Sequence, residues 1–345
     1  MRDIFTFDAF FIHQKLIFQL LDSIHKRRLE NLLQKAEFYS DNLRQVYINQ
    51  SFTEIIAEYI AKSKVKSFEE RLFVNETLKK GELVWYNNDF YFKGIAKAEE
   101  NFKKGKSPAY SEFHITLKQY SDKSIIGKFN FEHVHWSSAL DRLSGHKTKF
   151  MLAYIDEIKD DEIALRPIFI ADRLLKEDVV YEYDSYSLRI DIGDIDEFKK
   201  IKNISNTDKG LDLKLNESIS EEKIKHEIAE IINENNVPKD WGGENSDLFT
   251  NHIHINGKRY NAAFLLKGPA KFHPMTVRDL GANGNQIVRL FDEPADILIL
   301  QHCHYVRQEI YKTMDAFASR FDNIRQYCII DGIDTQRLLK AYGKL

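Results

Sequence analysis

Apolar positions recur at helical spacing early in the chain. Leu16, Leu20, Leu21 and Ile24 fall on one side of a helical projection and are followed by the charged run Lys26-Arg27-Arg28. Ser51-Phe52-Thr53-Glu54, ahead of Ile55, Ile56, Tyr59 and Ile60, has the form of a capping box opening a second amphipathic helix. Residues 1–80 are therefore expected to be mostly helical. Beyond them the pattern becomes strand-like. Leu83-Val84-Trp85-Tyr86 and Phe90-Tyr91-Phe92 flank the turn-like Asn87-Asn88-Asp89, which predicts a hairpin. Further strands are expected over 112–117, 125–131, 150–155 and 163–170, the last two joined at Lys159-Asp160-Asp161. Residues 81–198 thus read as a β-rich domain of unknown role, either separate from 1–80 or continuous with it.

Polarity rises over Lys199-Lys200-Ile201-Lys202-Asn203 and Asn206-Thr207-Asp208-Lys209-Gly210, so 199–216 is expected to be a linker. The remainder, 217–345, alternates helix and strand. Ser218-Ile219-Ser220-Glu221 resembles a capping box for a helix reaching about residue 235. Two strand-like runs, 246–255 and 259–266, meet at Asn256-Gly257, a strong hairpin signal. A short helix at 285–291, a strand at 296–300, a helix at 306–319, a strand at 329–330 and a last helix at 335–342 follow. The fold class is therefore α/β (α+β overall), with a helical and then β-rich region preceding a C-terminal α/β domain.

Composition narrows the classes of function. With 43% hydrophobic residues, 6 prolines and 15 glycines, the chain has the make-up of a folded protein rather than a disordered one. A net charge of -3 excludes a histone-like binder but leaves room for a local basic surface. Two cysteines, Cys303 and Cys328, cannot frame a disulfide scaffold of this size, which points to a reducing, cytoplasmic setting. The apolar stretch around residues 10–21 is interrupted by His13, Gln14 and Lys15, so no membrane span is expected.

The order helix, hairpin, strand, helix, strand in the C-terminal third, with Asp247 entering one strand and Lys267 ending the next, resembles the PD-(D/E)xK (restriction-endonuclease-like) nuclease superfamily. The resemblance covers about 130 residues and implies an αβββαβ core. It also implies catalytic roles for Asp247 and Lys267, with Glu227 on the preceding helix and Gln286 on the following one. One position departs from the motif: Leu265 stands where the family carries an acid two residues before the lysine. Helical projection places Glu227 at the margin of the Ile224, Ile228 and Ile231 stripe, a costly place for a carboxylate without a partner. The resemblance then implies Mg²⁺ (or Mn²⁺) held by Asp247 and Glu227, Lys267 at the attacking water, and Gln286 holding that water or a phosphate oxygen.

Between residues 258 and 289, six bases (Lys258, Arg259, Lys267, Lys271, Arg278 and Arg289) face a single acid, Asp279. Such a cluster suits a nucleic-acid backbone, and the turn Gly281-Ala282-Asn283-Gly284 could offer amides to a phosphate. The expected function is a metal-dependent DNA endonuclease, an effector of a bacterial anti-phage or restriction system, with DNA as partner. A helicase or sensor protein and a second copy of the chain are further partners the sequence leaves open. The alternatives are a non-catalytic nucleic-acid-binding or adaptor protein on a degenerate nuclease fold, or a nuclease active only in a complex. Three His-x-His pairs, His133/His135, His252/His254 and His302/His304, suggest a zinc site less well than they suggest polar residues on half-exposed strands. Cys303 between two of these histidines reads as a buried structural thiol.

Overall fold

Five strands of the first half close on themselves. In the computed structural model, which describes residues 5–63, 65–115, 117, 121–135, 139–175, 188–238, 244–281, 285–320 and 323–345, the chain divides into two compact units, 1–186 and 187–345. The first unit begins with β1 (Phe5–Ile12), α1 (Gln14–Leu20), α2 (Ser23–Ala36), α3 (Asp41–Ser63) and α4 (Phe68–Phe73). It continues with β2 (Leu83–Lys93), α5 (Ile95–Lys103), β3 (Tyr110–Ile115), β4 (Ser124–Asn130), α6 (Ala139–Arg142), β5 (Gly145–Ile158) and β6 (Glu162–Leu175). The sheet order is β1-β6-β4-β3-β2-β5, and β5 also pairs with β6, so β2 to β6 form a barrel. All its pairings are antiparallel except β4 with β6. That is the connectivity of an OB-type Greek-key barrel.

Alternation builds the barrel's core. Val84, Phe90, Phe92, Phe113, Phe129 and Leu165 belong to one buried cluster, while Tyr91 and Lys93 on β2, Glu112 and His114 on β3, and Ile126 and Lys128 on β4 alternate with them as exposed or half-buried positions. At Gly127 the interior leaves no room for a side chain: a Cβ would lie 2.2 Å from Phe113 Cζ and 2.4 Å from the Leu165 carbonyl oxygen.

Three expectations need correction here. Asn87-Asn88-Asp89 is not a turn, because β5 offers β2 an unbroken partner from Leu83 to Phe92. Ser51 does not open a helix. It lies within the 23-residue α3, its hydroxyl donates to the Tyr47 carbonyl at 2.8 Å, and Thr53 does the same to Asn49. The N-terminal segment also contains a strand, β1, that the expectation of a mostly helical 1–80 did not include.

Where β1 ends, imidazoles gather. The His13 and His133 rings stack at 4.1 Å, and the His135 N–H donates to the Phe10 carbonyl. Burial, then the neighbouring His133, lowers His13 to about 4; burial also lowers His133 and His135. A histidine depressed in the folded state leaves the unfolded chain to take up the proton first. Its stabilisation is therefore complete above the ordinary histidine pKa of about 6.5 and is lost as pH falls toward 4. The urea midpoint of the first unit is expected to fall between about pH 7 and about pH 5, and His13→Gln should flatten that slope. An unchanged slope in the variant would remove His13 from the account.

The second unit contains α7 (Glu221–Ile231), β7 (Leu248–Ile255), β8 (Lys258–Lys267), α8 (Asn285–Asp292), β9 (Ile297–His302), α9 (Gln308–Ala318), β10 (Gln326–Ile330) and α10 (Gly332–Ala341). Its sheet order is β10-β9-β8-β7, with β8, β9 and β10 parallel and β7 antiparallel. Residues 188–190 run beside β10, the Ile190 N–H donating to the Tyr327 carbonyl and the Tyr327 N–H to that of Leu188. Ala262, Phe264 and Leu266 of β8 pack with Ile224, Ile228 and Leu338 of α7 and α10. The alternate residues face α8 and α9, whose Phe291 and Phe317 rings meet at 5.3 Å. The Asn256-Gly257 turn is as expected, both residues having positive φ (51° and 76°).

Among the described residues the expected αβββαβ run becomes α7-β7-β8-α8-β9-α9-β10-α10. Parallel neighbours require a crossover, and α8 and α9 supply it. Nor is 199–216 a linker. It lies within the second unit, with Ile201 and Asn216 buried; just before and into it, Ile192, Ile195, Phe198 and Ile201 recur every third residue, the period of a 3₁₀ helix, and all four are buried against that unit's core. No helix among the described residues is long and apolar enough to cross a membrane.

Candidate active site

The three parallel strands of the second unit end at one edge of its sheet, the usual position of sites in open α/β sheets. Asn216, fully buried, ties this edge together: its amide donates at 2.8 Å to the Cys303 carbonyl and at 2.8 Å to that of Gly332. Cys303 is buried and its Sγ lies 3.1 Å from the Gly268 carbonyl oxygen. Burial pushes the thiol up to about 11, so it is no nucleophile at neutral pH.

At the end of β8 the ladder runs out before the strand does. The Cys303 N–H donates to the Lys267 carbonyl, so that peptide faces β9. The N–H groups of Leu266 and Gly268 point the other way, beyond the start of β7. Carboxylates take them. Asp247 Oδ2 accepts from Leu266 at 2.6 Å, and Glu221 Oε2 accepts from Gly268 at 2.7 Å. Amides two residues apart on a strand are separated by roughly 6.6 Å, so two acids bracket the backbone of Lys267. A Cβ on Gly268 would lie 2.6 Å from Glu221 Cβ, and glycine permits this close approach of α7. The Lys267 side chain is half-buried on the same sheet face as Leu265 and its β9 neighbour His302. Leu265, at the position where the resemblance implies an acid, is 4% exposed and packed into the core.

Gln286 lies in the first turn of α8, against Gly281, and its buried Oε1 has no hydrogen-bond partner among the described residues. Residues 282–284 of the expected phosphate-binding turn lie outside the described residues. Glu227 is elsewhere. It stands six residues further along α7 than Glu221, about 9 Å by the helical rise, and its carboxylate faces Lys344 Nζ at 3.2 Å. The acid that α7 brings to the end of β8 is Glu221. The sequence assigned Glu221 to a capping box with Ser218, but the N-cap is Ser220, which accepts from Lys223 N. Ser218 instead donates to the Leu215 carbonyl. Glu221 is left at the first helical position with its carboxylate directed at Gly268.

The six bases do not form one surface. Lys258 and Arg259 sit at the hairpin tip, where Lys258 lies 5.3 Å from the Tyr260 ring centroid and Arg259 Nε donates to the Asn251 carbonyl. Nine residues of strand, about 30 Å, separate Lys258 from Lys267. Lys271 and the exposed Arg278 follow β8 on the same loop. Lys271 and His273 each approach Asp279 Oδ1 at 3.5 Å. Burial works against its ionisation, but the Thr276 N–H and hydroxyl, with His273 and Lys271, hold the Asp279 carboxyl below its ordinary range. Arg289 is half-buried on α8.

The histidine pairs also separate. His133 lies in a 3₁₀ turn rather than a strand. His252 contacts the Asn233 carbonyl while His254 pairs with Glu197 at 2.7 Å. His302 Nε2 lies 2.9 Å from the His273 carbonyl oxygen, and His304 Nδ1 accepts from Tyr305 N. Among the described residues, no three of His, Cys, Asp and Glu gather as a metal-holding group. No family model, curated protein or solved structure matches the chain.

Proposed function

We propose that the second unit is a metal-dependent DNA endonuclease whose site lies at the end of β8. The observation that carries this reading is the pair of acids, Asp247 and Glu221, on the amides either side of Lys267. Two carboxylates are too few for a zinc cage. They suit Mg²⁺ or Mn²⁺, hard cations that take one or two acids and keep their remaining positions for water and phosphate oxygens. Asp247 and Glu221 would hold the ion, which when bound neutralises charge on the phosphodiester and acidifies the attacking water. Lys267 would stabilise the negative charge that develops on the phosphoryl oxygens. The Gln286 amide, whose oxygen has no partner among the described residues, would orient water. Lys271 and Arg278, on the loop after β8, would contact the DNA backbone.

Leu265 favours a second reading, a nucleic-acid-binding module without cleavage, because a packed leucine replaces the carboxylate the motif would use. Incubating linear and supercoiled DNA with Mg²⁺ or Mn²⁺, beside Asp247→Ala and Lys267→Ala, separates the two. The nuclease reading expects cleavage by the parent protein and loss in both variants. Intact DNA that is nonetheless bound by all three proteins would establish the binding module. Equal cleavage by all three would move the active site elsewhere.

A further inference from the structure

The outer wall of the barrel carries an aromatic surface independent of the site just described. Strand register aligns His146, Tyr91, His114 and Ile126 in one row across β5, β2, β3 and β4. The Tyr91 and His146 rings lie 4.9 Å apart, and Tyr91 is 42% exposed. The neighbouring row is Lys93, Glu112 and Lys128, where one carboxylate faces two ammonium groups at 3.1 and 3.3 Å. The next outward position on β3 is Tyr110, 55% exposed. Two aromatic stations therefore stand about 13 Å apart along β3, with a net positive row between them.

Aromatic residues at such exposure leave apolar ring surface in water, and no core requires them there. A chain that offers flat rings at intervals, joined by anions, fits this surface: the rings stack on Tyr91 and Tyr110 while the linking phosphates meet Lys93 and Lys128. We propose that this face of the barrel binds single-stranded nucleic acid. A duplex hides its base faces in its own stack and cannot use the tyrosines. An uncharged oligosaccharide could also stack on them but would leave the row's net positive charge, two ammonium groups against one carboxylate, uncompensated.

The test uses the full chain and fluorescently labelled oligonucleotides of about twelve nucleotides, oligo-dT and oligo-U, followed by anisotropy at several salt concentrations. At least one single strand should bind more tightly than a duplex of equal length, and the arm that binds better identifies DNA or RNA. Tyr91→Ala and Tyr110→Ala should each weaken binding roughly five-fold or more, the size of one base–aromatic stack, while Tyr91→Phe retains it. Lys93→Gln with Lys128→Gln should lower the salt dependence. Because both tyrosines are exposed, circular dichroism should show the variants folded. Equal affinity for duplex and single strand, tyrosine variants that bind as the parent does, or displacement by a neutral oligosaccharide would each overturn the proposal.

Discussion

Glu221→Gln is expected to lower metal-dependent DNA cleavage by about a hundred-fold or more, the usual order for removing one charge-stabilising group from an active site, whereas Glu227→Gln should change it by less than about three-fold. Glutamine at 221 still offers an oxygen to the Gly268 N–H, which Glu221 now accepts at 2.7 Å, so the substitution removes charge and spares the fold. Glutamine at 227 weakens only the pairing with Lys344, a solvent-screened contact of small energetic weight. The measurement is the initial rate on supercoiled DNA as Mg²⁺ is titrated. Glu221→Gln should also shift the metal requirement upward. The opposite order of effects would return the metal to Glu227 and refute the geometry at Gly268.

That contrast shows how far the sequence can be read. The hairpin at Asn256-Gly257 was legible because its turn demands positive φ at both residues, and few dipeptides supply it. Asp247 and Lys267 were legible as a pair because they bound adjacent strands. Glu221 was not, because a two-residue error in the helix start gave it a capping role that Ser220 does not need. The separation of Lys258 from Lys271 was hidden for a similar reason: proximity in sequence says nothing about which end of a strand a base occupies. Barrel closure was illegible too, since the pairing of β4 with β6 joins segments that no local pattern connects. The buried strip at Ile192, Ile195, Phe198 and Ile201 did leave a signal, but its period of three was masked by the lysines and acids between its members.

Gly127→Ala should destabilise the first unit by about 3 kcal/mol, the upper end for an overpacked core. The residue carries no positive φ, so the cost is entirely one of space. A methyl group would stand 2.2 Å from the tip of the Phe113 ring and 2.4 Å from the Leu165 carbonyl oxygen. The ring can rotate away. The carbonyl belongs to β6, which closes the barrel against β4, and it can move only if that seam opens. Urea unfolding followed by tryptophan fluorescence would report the loss, since Trp85 is buried in this unit. An unfolding free energy within about 0.5 kcal/mol of the parent protein's would mean that the seam yields more readily than its geometry suggests.

The two ends of the second unit clasp each other. Residues 188–190 pair beside β10, Asn216 holds Gly332, Asp208 meets Lys340 and Glu227 meets Lys344. For protein synthesis this has a temporal consequence. Every strand of the barrel has been made by residue 175, so the first unit can fold while translation continues. The second unit cannot. Its opening segment waits for partners in β10 and α10, more than a hundred residues downstream, and such distant pairings form late and slowly. Until residues 332–341 have emerged, the nascent chain therefore carries a finished barrel and an unfinished α/β unit, and the edge bearing Glu221, Asp247 and Lys267 is assembled only after α10 is available.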